Sequence, residues 1–352
     1  MTRRRLWTLA LALGLLAPLD VIAQGAGRPA YRAVDLGVLQ QDTGAHVRGL
    51  NNAGALAGGG GSRLAAFVLT GSALEVIPGL PGADWSVALG LNDDGVVVGA
   101  SNTATALRGF VWSRAGGIHE LRPLPGDSGS EAFGVNRRRQ AVGYSSGPAG
   151  VQAVLWAADG QVQRLGPLPG TRESRAMAIN EAGDVAGTAV VASGPRAFRW
   201  TSKDGMVTLA ALPGDLESEA LALNVNGDVV GQSRGATRSQ AVRWTPAGGV
   251  QALGTLAGGS YSLANAVNQR GDVVGTSGGV HGPRAFLWTA SGGMRDVNEL
   301  IPAGADFVLV EGVGVNDQGV IAALGHDAIG GHAGGAHNHN LPVRAFLLVP
   351  TP

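Results

Sequence analysis

The chain contains no cysteine. Disulfides therefore add nothing to its stability, an anchor attached through cysteine is excluded, and the fold must hold by packing even in an oxidising compartment. Net charge is missing too: 26 Lys and Arg balance 26 Asp and Glu, and no basic block occurs beyond the first residues. That removes the electrostatic footprint of a nucleic-acid or anionic-membrane partner. A long apolar run occurs only at the start. In "MTRRRLWTLALALGLLAPLDVIAQ", Arg3, Arg4 and Arg5 precede an apolar stretch from Leu6 to Leu19, and Val21-Ile22-Ala23 ends it. This is the pattern of a secretory signal peptide over residues 1–23, followed by a short linker at 24–30. No second run of eighteen or more apolar residues follows. The expected mature protein is exported, periplasmic or extracellular, has no transmembrane segment and is a monomer.

Glycine is abundant, at 58 of 352 residues, with 45% hydrophobic residues and no collagen period. That combination points to many short strands joined by tight turns. The organising fact is a repeat. Asn51, Asn92, Asn136, Asn180, Asn224, Asn268 and Asn316 follow one another at spacings of 41, 44, 44, 44, 44 and 48. A second ladder, Trp112, Trp156, Trp200, Trp244 and Trp288, keeps the same step of 44. Each copy reads as four strands: one ending at the Asn, a "GDVVG" strand, an "AFLW" strand and a "GMVTLAALPG" strand. In the first, positions −4 and −2 from the Asn are almost all Ala or Gly, whereas −3 and −1 are mostly large and apolar. This is strand alternation with one crowded face. Four strands every 40 to 45 residues predict an all-β chain, a β-propeller of about seven four-stranded blades in one domain over residues 31–352. Residues 31–39, "YRAVDLGVL", resemble the fourth strand, while the seventh copy stops after its third. The N-terminal strand is therefore expected to pair with the strand around Phe346 and close the ring.

The stretch "LGTLAGGSYSLANAVNQRGDVVGTSGGVHGPRAFLWTASGGMRDV", residues 253–297, resembles the HAF repeat of bacterial exported proteins, although Arg196, Gln240 and Arg284 stand where His is expected. The resemblance covers roughly residues 31–350. It implies an extracellular or envelope protein and brings no catalytic residues with it.

Several fragments imitate functional motifs. "LNVNGDVVGQS" has the look of a cation loop, but other copies such as "NEAGDV" and "NDDGVV" share only the Asn and Gly. A type I turn closed by a left-handed Gly explains them all. In the third copy, "NRRRQAVG", Arg139 replaces that Gly and must accept strain or change the turn. "GYSSG", "GQSRG" and "GTSGG" match G-x-S-x-G, yet they occupy one repeat position with no helical pattern beyond. They read as a strand entering a loop rather than as nucleophile elbows. "GDSG" at 126–129 aligns with "GDLE" as an ordinary connection.

A repeat protein specialises where its copies differ. Trp85 and Tyr261 occupy the same register, with Phe307 nearby in its own longer loop, and Asp84, Asp127, Asp215, Glu217 and Glu219 stand on the same rim. Together they form a candidate rim for a sugar or a protein surface, against the simpler role of aromatics covering blade edges. The seventh copy carries an insert, "LGHDAIGGHAGGAHNHNLPV", with His326, His332, His337 and His339. With an oxygen from Asp327 they make a candidate Zn²⁺ or Cu²⁺ site, although the spacing matches no established zinc pattern. A solvated loop without cofactor is the alternative. The expected function is an exported, non-enzymatic binding or scaffold protein with a glycan or protein ligand. The alternative is a hydrolase or lyase acting on an extracellular or envelope polymer, which would gather non-repeating polar residues near the channel mouth.

Overall fold

The computed structural model describes residues 30–36, 46–60, 65–328 and 343–351. They form seven four-stranded antiparallel sheets, whose first strands pack on one another around a common axis, the seventh against the first. The chain is a seven-bladed β-propeller. Blade 1 runs through His46–Leu50, Leu56–Gly60, Ala65–Thr70 and Ala73–Ile77. Blade 2 runs through Trp85–Leu91, Val97–Asn102, Leu107–Ser113 and Gly117–Leu121, and blade 3 through Gly129–Val135, Ala141–Gly147, Gly150–Trp156 and Val162–Arg164. Blade 4 consists of Glu173–Ile179, Val185–Val191, Gly194–Thr201 and Gly205–Thr208, and blade 5 of Glu217–Leu223, Val229–Arg234, Ser239–Trp244 and Val250–Gly254. Blade 6 consists of Ser262–Val267, Val273–Gly279, Gly282–Thr289 and Gly293–Asp296. Blade 7 takes Phe307–Val315, Ile321–Asp327 and Arg344–Pro350 from the C-terminal part and its outer strand, Tyr31–Asp35, from the other end of the chain.

That closure is the one expected from the ends of the sequence. Tyr31 pairs with Pro350 and Asp35 with Phe346. Thr351 N donates to Ala30 O at 2.9 Å and Leu36 N to Ala345 O at 3.1 Å, so the pairing extends past both strand ends. Arg344 adds an ionic clasp, bonding Asp35 of the outer strand and Asp327 of the second strand. Its guanidinium lies 5.1 Å from the Phe346 ring centroid and 5.7 Å from that of Phe307. The expected signal peptide at 1–23, the linker up to 29 and positions 37–39 of the closing strand lie outside the described residues.

The seven Asn residues do more than start a turn. In each copy the N–H three residues on bonds the Asn carbonyl, at 3.0–3.1 Å, which is the type I turn. The Asn Oδ1 accepts the N–H four residues on, from Ala55, Val96, Gln140, Asp184, Asp228, Asp272 and Val320. Nδ2 then crosses to the next blade and donates to the backbone carbonyl of the next Asn. The last of these bonds, from Asn316 to Asn51 O at 3.2 Å, closes the cycle. All seven residues are only 1–6% exposed. Both ends of each amide are satisfied where water has little access, as a buried amide requires.

The hydrophobic core is not one centre but a series of layers between blades. One layer joins Ala57, Val68 and Ile77 of blade 1 to Val97, Phe110 and Trp112 of blade 2. Another joins Val230 and Leu253 to Phe286 and Trp288. The Trp ladder belongs to these layers, and the indoles of Trp156 and Trp244 each donate, at 2.7 Å, to a backbone carbonyl at the outer edge of the preceding blade. One glycine of each second strand is set by close approach: a Cβ on Gly231 would lie 1.9 Å from Glu219 O, and one on Gly275 1.9 Å from Leu263 O.

Two outcomes test this account. Deleting residues 24–40 should expose Phe346 and Leu348 and lower the melting temperature by roughly 5–10 °C, the scale of a few kcal/mol in a domain of this size; an unchanged value would show the closing strand to be dispensable. Arg139 keeps the shared turn at φ 60, in the region its six counterparts fill with Gly. Arg139→Gly should therefore stabilise by up to about 1 kcal/mol in chemical denaturation. A loss of stability would instead assign the Arg side chain a contact of its own.

Candidate functional site

Each inner strand breaks the simple alternation read from the sequence. The register shifts between positions −4 and −2 in all seven blades, leaving the −3 residue as the extra residue of a β-bulge. A bulge bends its strand and re-aims a side chain. Here the bulged residues, Arg48, Leu89, Phe133, Met177, Leu221, Asn265 and Val313, line an axial cavity of about 560 Å³. Small residues at −2 let the strands approach: a Cβ on Gly90 would lie 2.4 Å from Phe133 O, and one on Gly314 2.9 Å from Leu50 Cβ. The bulge was not legible because a −3 residue that is large and apolar satisfies strict alternation equally well.

Polar groups gather beside this cavity in three places. Tyr144 hydrogen-bonds Glu131 across the first two strands of blade 3, and Arg175 of blade 4 stands 5.5 Å from the Tyr144 ring centroid. Burial raises the Glu131 carboxyl above its ordinary pKa, and the Tyr144 bond and Arg175 only partly oppose it. Burial, with Glu131 beside it, also raises the Tyr144 hydroxyl. In blade 5, Glu219 accepts from Gln232 Nε2 at 2.7 Å. Glu311 of blade 7 accepts from Asn265 Nδ2 at 3.2 Å. Of these residues only Glu219 was singled out in the sequence, as part of the rim; Glu131, Arg175, Glu219 and Glu311 share one repeat position, five before the Asn, where Val87 and Leu263 are the apolar copies.

The residues singled out from sequence are spread over several blades. Trp85 begins the inner strand of blade 2 and Tyr261 immediately precedes that of blade 6, and blades 7 and 1 separate the two. Tyr261 is 39% exposed and lies flat enough on Gly278 that a Cβ there would meet its ring at 2.8 Å. Asp84 is exposed, and its N–H donates to Asn102 O at 3.2 Å. Asp127 and Asp215 turn inward, accepting from Ser145 Oγ at 2.6 Å and Ser233 Oγ at 2.8 Å. No hydrogen bond or ring contact joins any two of these five among the described residues. Phe307, expected in a loop, begins the inner strand of blade 7 and stacks on Phe346 with centroids 4.3 Å apart.

The three G-x-S-x-G serines are fully buried. Ser145, Ser233 and Ser277 each accept a backbone N–H, from Leu124, Leu212 and Leu256, at 2.9–3.0 Å. They tie the connection that enters a blade to that blade's second strand. Of the four histidines, His326 is the penultimate residue of its strand, with Nδ1 2.9 Å from Asp327 O, while the Asp327 carboxylate is engaged by Arg344. His332, His337 and His339 lie outside the described residues. No cluster of three His, Cys, Asp or Glu that could hold a metal occurs among the described residues.

The raised Glu131 pKa has a sign. A carboxyl whose folded pKa lies above its unfolded value binds its proton more tightly when folded, so stability falls as pH rises through the folded value. Glu131→Gln keeps an acceptor for Tyr144 and removes the charge, so the melting temperature should rise at pH 7. The gain should vanish below the ordinary Glu range, about pH 4. A variant less stable than wild type at pH 7 but equal to it below about pH 4 would show that the Arg175 attraction outweighs burial.

No protein-family model matches the chain, and no curated protein matches it in sequence. Solved structures match it in fold. It is similar to virginiamycin B lyase from Staphylococcus aureus, with a TM-score of 0.55 at 13% identity over 91% of this chain and 99% of that one. A structure of streptogramin B lyase matches with a TM-score of 0.55 at 13% identity, over 91% of this chain and 98% of that one. A catalytically inactive virginiamycin B lyase with quinupristin matches at 0.54 and 12%, over 91% and 99%. At such identities the likeness concerns the propeller fold.

Proposed function

We propose that the chain is an exported, non-enzymatic binding protein that presents one face of its propeller to a glycan or protein ligand. The observation that carries this reading is the asymmetry of the two faces. One carries the same Asn turn seven times, joined into a hydrogen-bonded belt. On the opposite face lie the connections between outer and inner strands and between second and third strands, where the copies differ, with Trp85, Tyr261 and the exposed Asp84 among them. Binding specificity resides in segments that a rigid scaffold leaves free to vary. The signal-peptide pattern and the resemblance to HAF-repeat proteins support export. Binding rather than turnover is supported by the polar groups near the channel, which are mostly engaged with one another, and by the burial of all three motif serines.

One observation favours a second reading, a hydrolase or lyase acting on an envelope or extracellular polymer. Glu131 has counterparts in Glu219 and Glu311, but only blade 3 sets such a carboxyl against a tyrosine, Tyr144, with Arg175 of the next blade beside the ring. A carboxyl with a raised pKa next to a phenol is a plausible proton carrier in geometry.

The mature protein would be screened against immobilised glycans and envelope proteins, with Trp85→Ala/Tyr261→Ala as the comparison. The expected outcome is a bound ligand left unchanged in covalent structure, with affinity lowered about tenfold in the variant, the scale of losing ~1.4 kcal/mol of aromatic contact. Ligand consumed by wild type and spared by Glu131→Gln would favour the enzyme instead. Full affinity in the aromatic double variant would remove the rim from the reading.

A further inference from the structure

The axial cavity is not uniform around its circumference. Leu89, Phe133, Met177 and Leu221 bring apolar bulge residues from blades 2, 3, 4 and 5. The remaining arc, blades 6, 7 and 1 in spatial succession, contributes Asn265, Glu311 and Arg48 around the one apolar bulge residue Val313. The three differ in their state. Glu311 is bonded by Asn265 Nδ2, which also reaches Gly312 O at 3.0 Å. Arg48 lines the same cavity with an exposed side chain and makes no hydrogen bond or ion pair with another described residue. His46 is held below its usual pKa by burial and by Arg48 against the pull of Glu311, so it adds no second cation at neutral pH.

Packing does not explain this pattern. The −4 alanines of blades 2 to 6 are fully buried and the −2 positions are crowded, but the bulge residue faces open space and takes six different identities in seven copies. A cavity of about 560 Å³ falls in the size range of small-molecule sites, and its lining offers polar and apolar surface in similar measure. Its free complement is a guanidinium, whose planar fork matches a carboxylate.

We infer that the channel is a binding site for an amphipathic monoanion, an aliphatic carboxylate whose chain lies on the arc from Leu89 to Leu221 and whose head group meets Arg48. Glu311 stands in the same polar arc and narrows the choice, because a dianionic phosphate head would meet its charge. The site is separate from the rim of Trp85 and Tyr261 and does not depend on the reading given to that rim.

The test is calorimetric titration of the lipid-stripped protein with decanoate, decyl phosphate, decylamine and decanol, each below its micellar concentration. Decanoate should bind most tightly. Arg48→Ala should weaken it at least tenfold, Leu221→Glu should abolish binding, and Glu311→Gln should tighten it by removing the neighbouring negative charge. A merely structural role would not produce the last of these. Melting curves confirm that each variant is folded, and Trp85→Ala/Tyr261→Ala should leave decanoate binding unchanged. The inference is overturned if decanoate fails to bind folded wild type, if decanol binds as well and neither responds to Arg48→Ala, or if decylamine binds best and is lost with Glu311→Gln.

Discussion

The ring depends on an amide that can donate and accept at once. Each of the seven Asn residues closes its own turn through Oδ1 and reaches the next blade through Nδ2, and the seventh returns to the first. Aspartate would keep the acceptor and lose the donor, and glutamine would carry the amide one methylene too far for the turn. Because donor and acceptor belong to successive copies, the belt is complete only when the ring is closed. A second, partial belt reinforces it: the residue after the Asn accepts, through its side chain, the corresponding backbone N–H of the preceding blade at Asp93, Glu181, Gln269, Asp317 and Asn52. Neighbouring blades are thus held in axial register on one face by hydrogen bonds and throughout by apolar layers.

The same arithmetic explains how a chain without disulfides keeps a central cavity. Seven inner strands meet at the axis, and small residues at −4 and −2 let them approach. The bulge between those positions then directs the one unconstrained residue of each strand toward the axis. Structural positions are therefore almost identical from copy to copy, whereas the axial position varies. Serines near the start of the inner strands complete the pattern by capping backbone N–H groups across the blade boundary, as Ser86 does for Ala66 and Ser218 for Ala197. In a layered core these N–H groups would otherwise be buried without a partner.

Much of this was legible before the fold was known. Two ladders in step established the blade count, the mismatch of the chain ends established the closing strand, and the odd Arg139 announced a left-handed non-glycine residue, found at φ 60. The motif serines were correctly read as part of the repeat, but their task, bonding Leu124, Leu212 and Leu256, was hidden because their partners lie 21 residues away. Asp127 and Asp215 looked like rim ligands because a loop aspartate gives no sign of a serine waiting across the strand. Glu131, Arg175 and Glu311 were overlooked, and Glu219 was read as a rim residue, for the same reason: the four acquire a common location only when their strands stand side by side.

What the sequence determined by itself was everything that local geometry and periodicity dictate: strands, turns, the number of blades and the partner of the first strand. These follow from steric rules acting over a few residues and from repetition, which makes one local solution hold seven times. The tertiary structure alone decided that the turn asparagines bond one another, that each inner strand is bulged, and that one arc of the channel is apolar while the other carries Arg48, Asn265 and Glu311. The belt bonds join residues 41 to 265 positions apart, and a linear pattern has no way to encode which side chain faces which until the ring has closed.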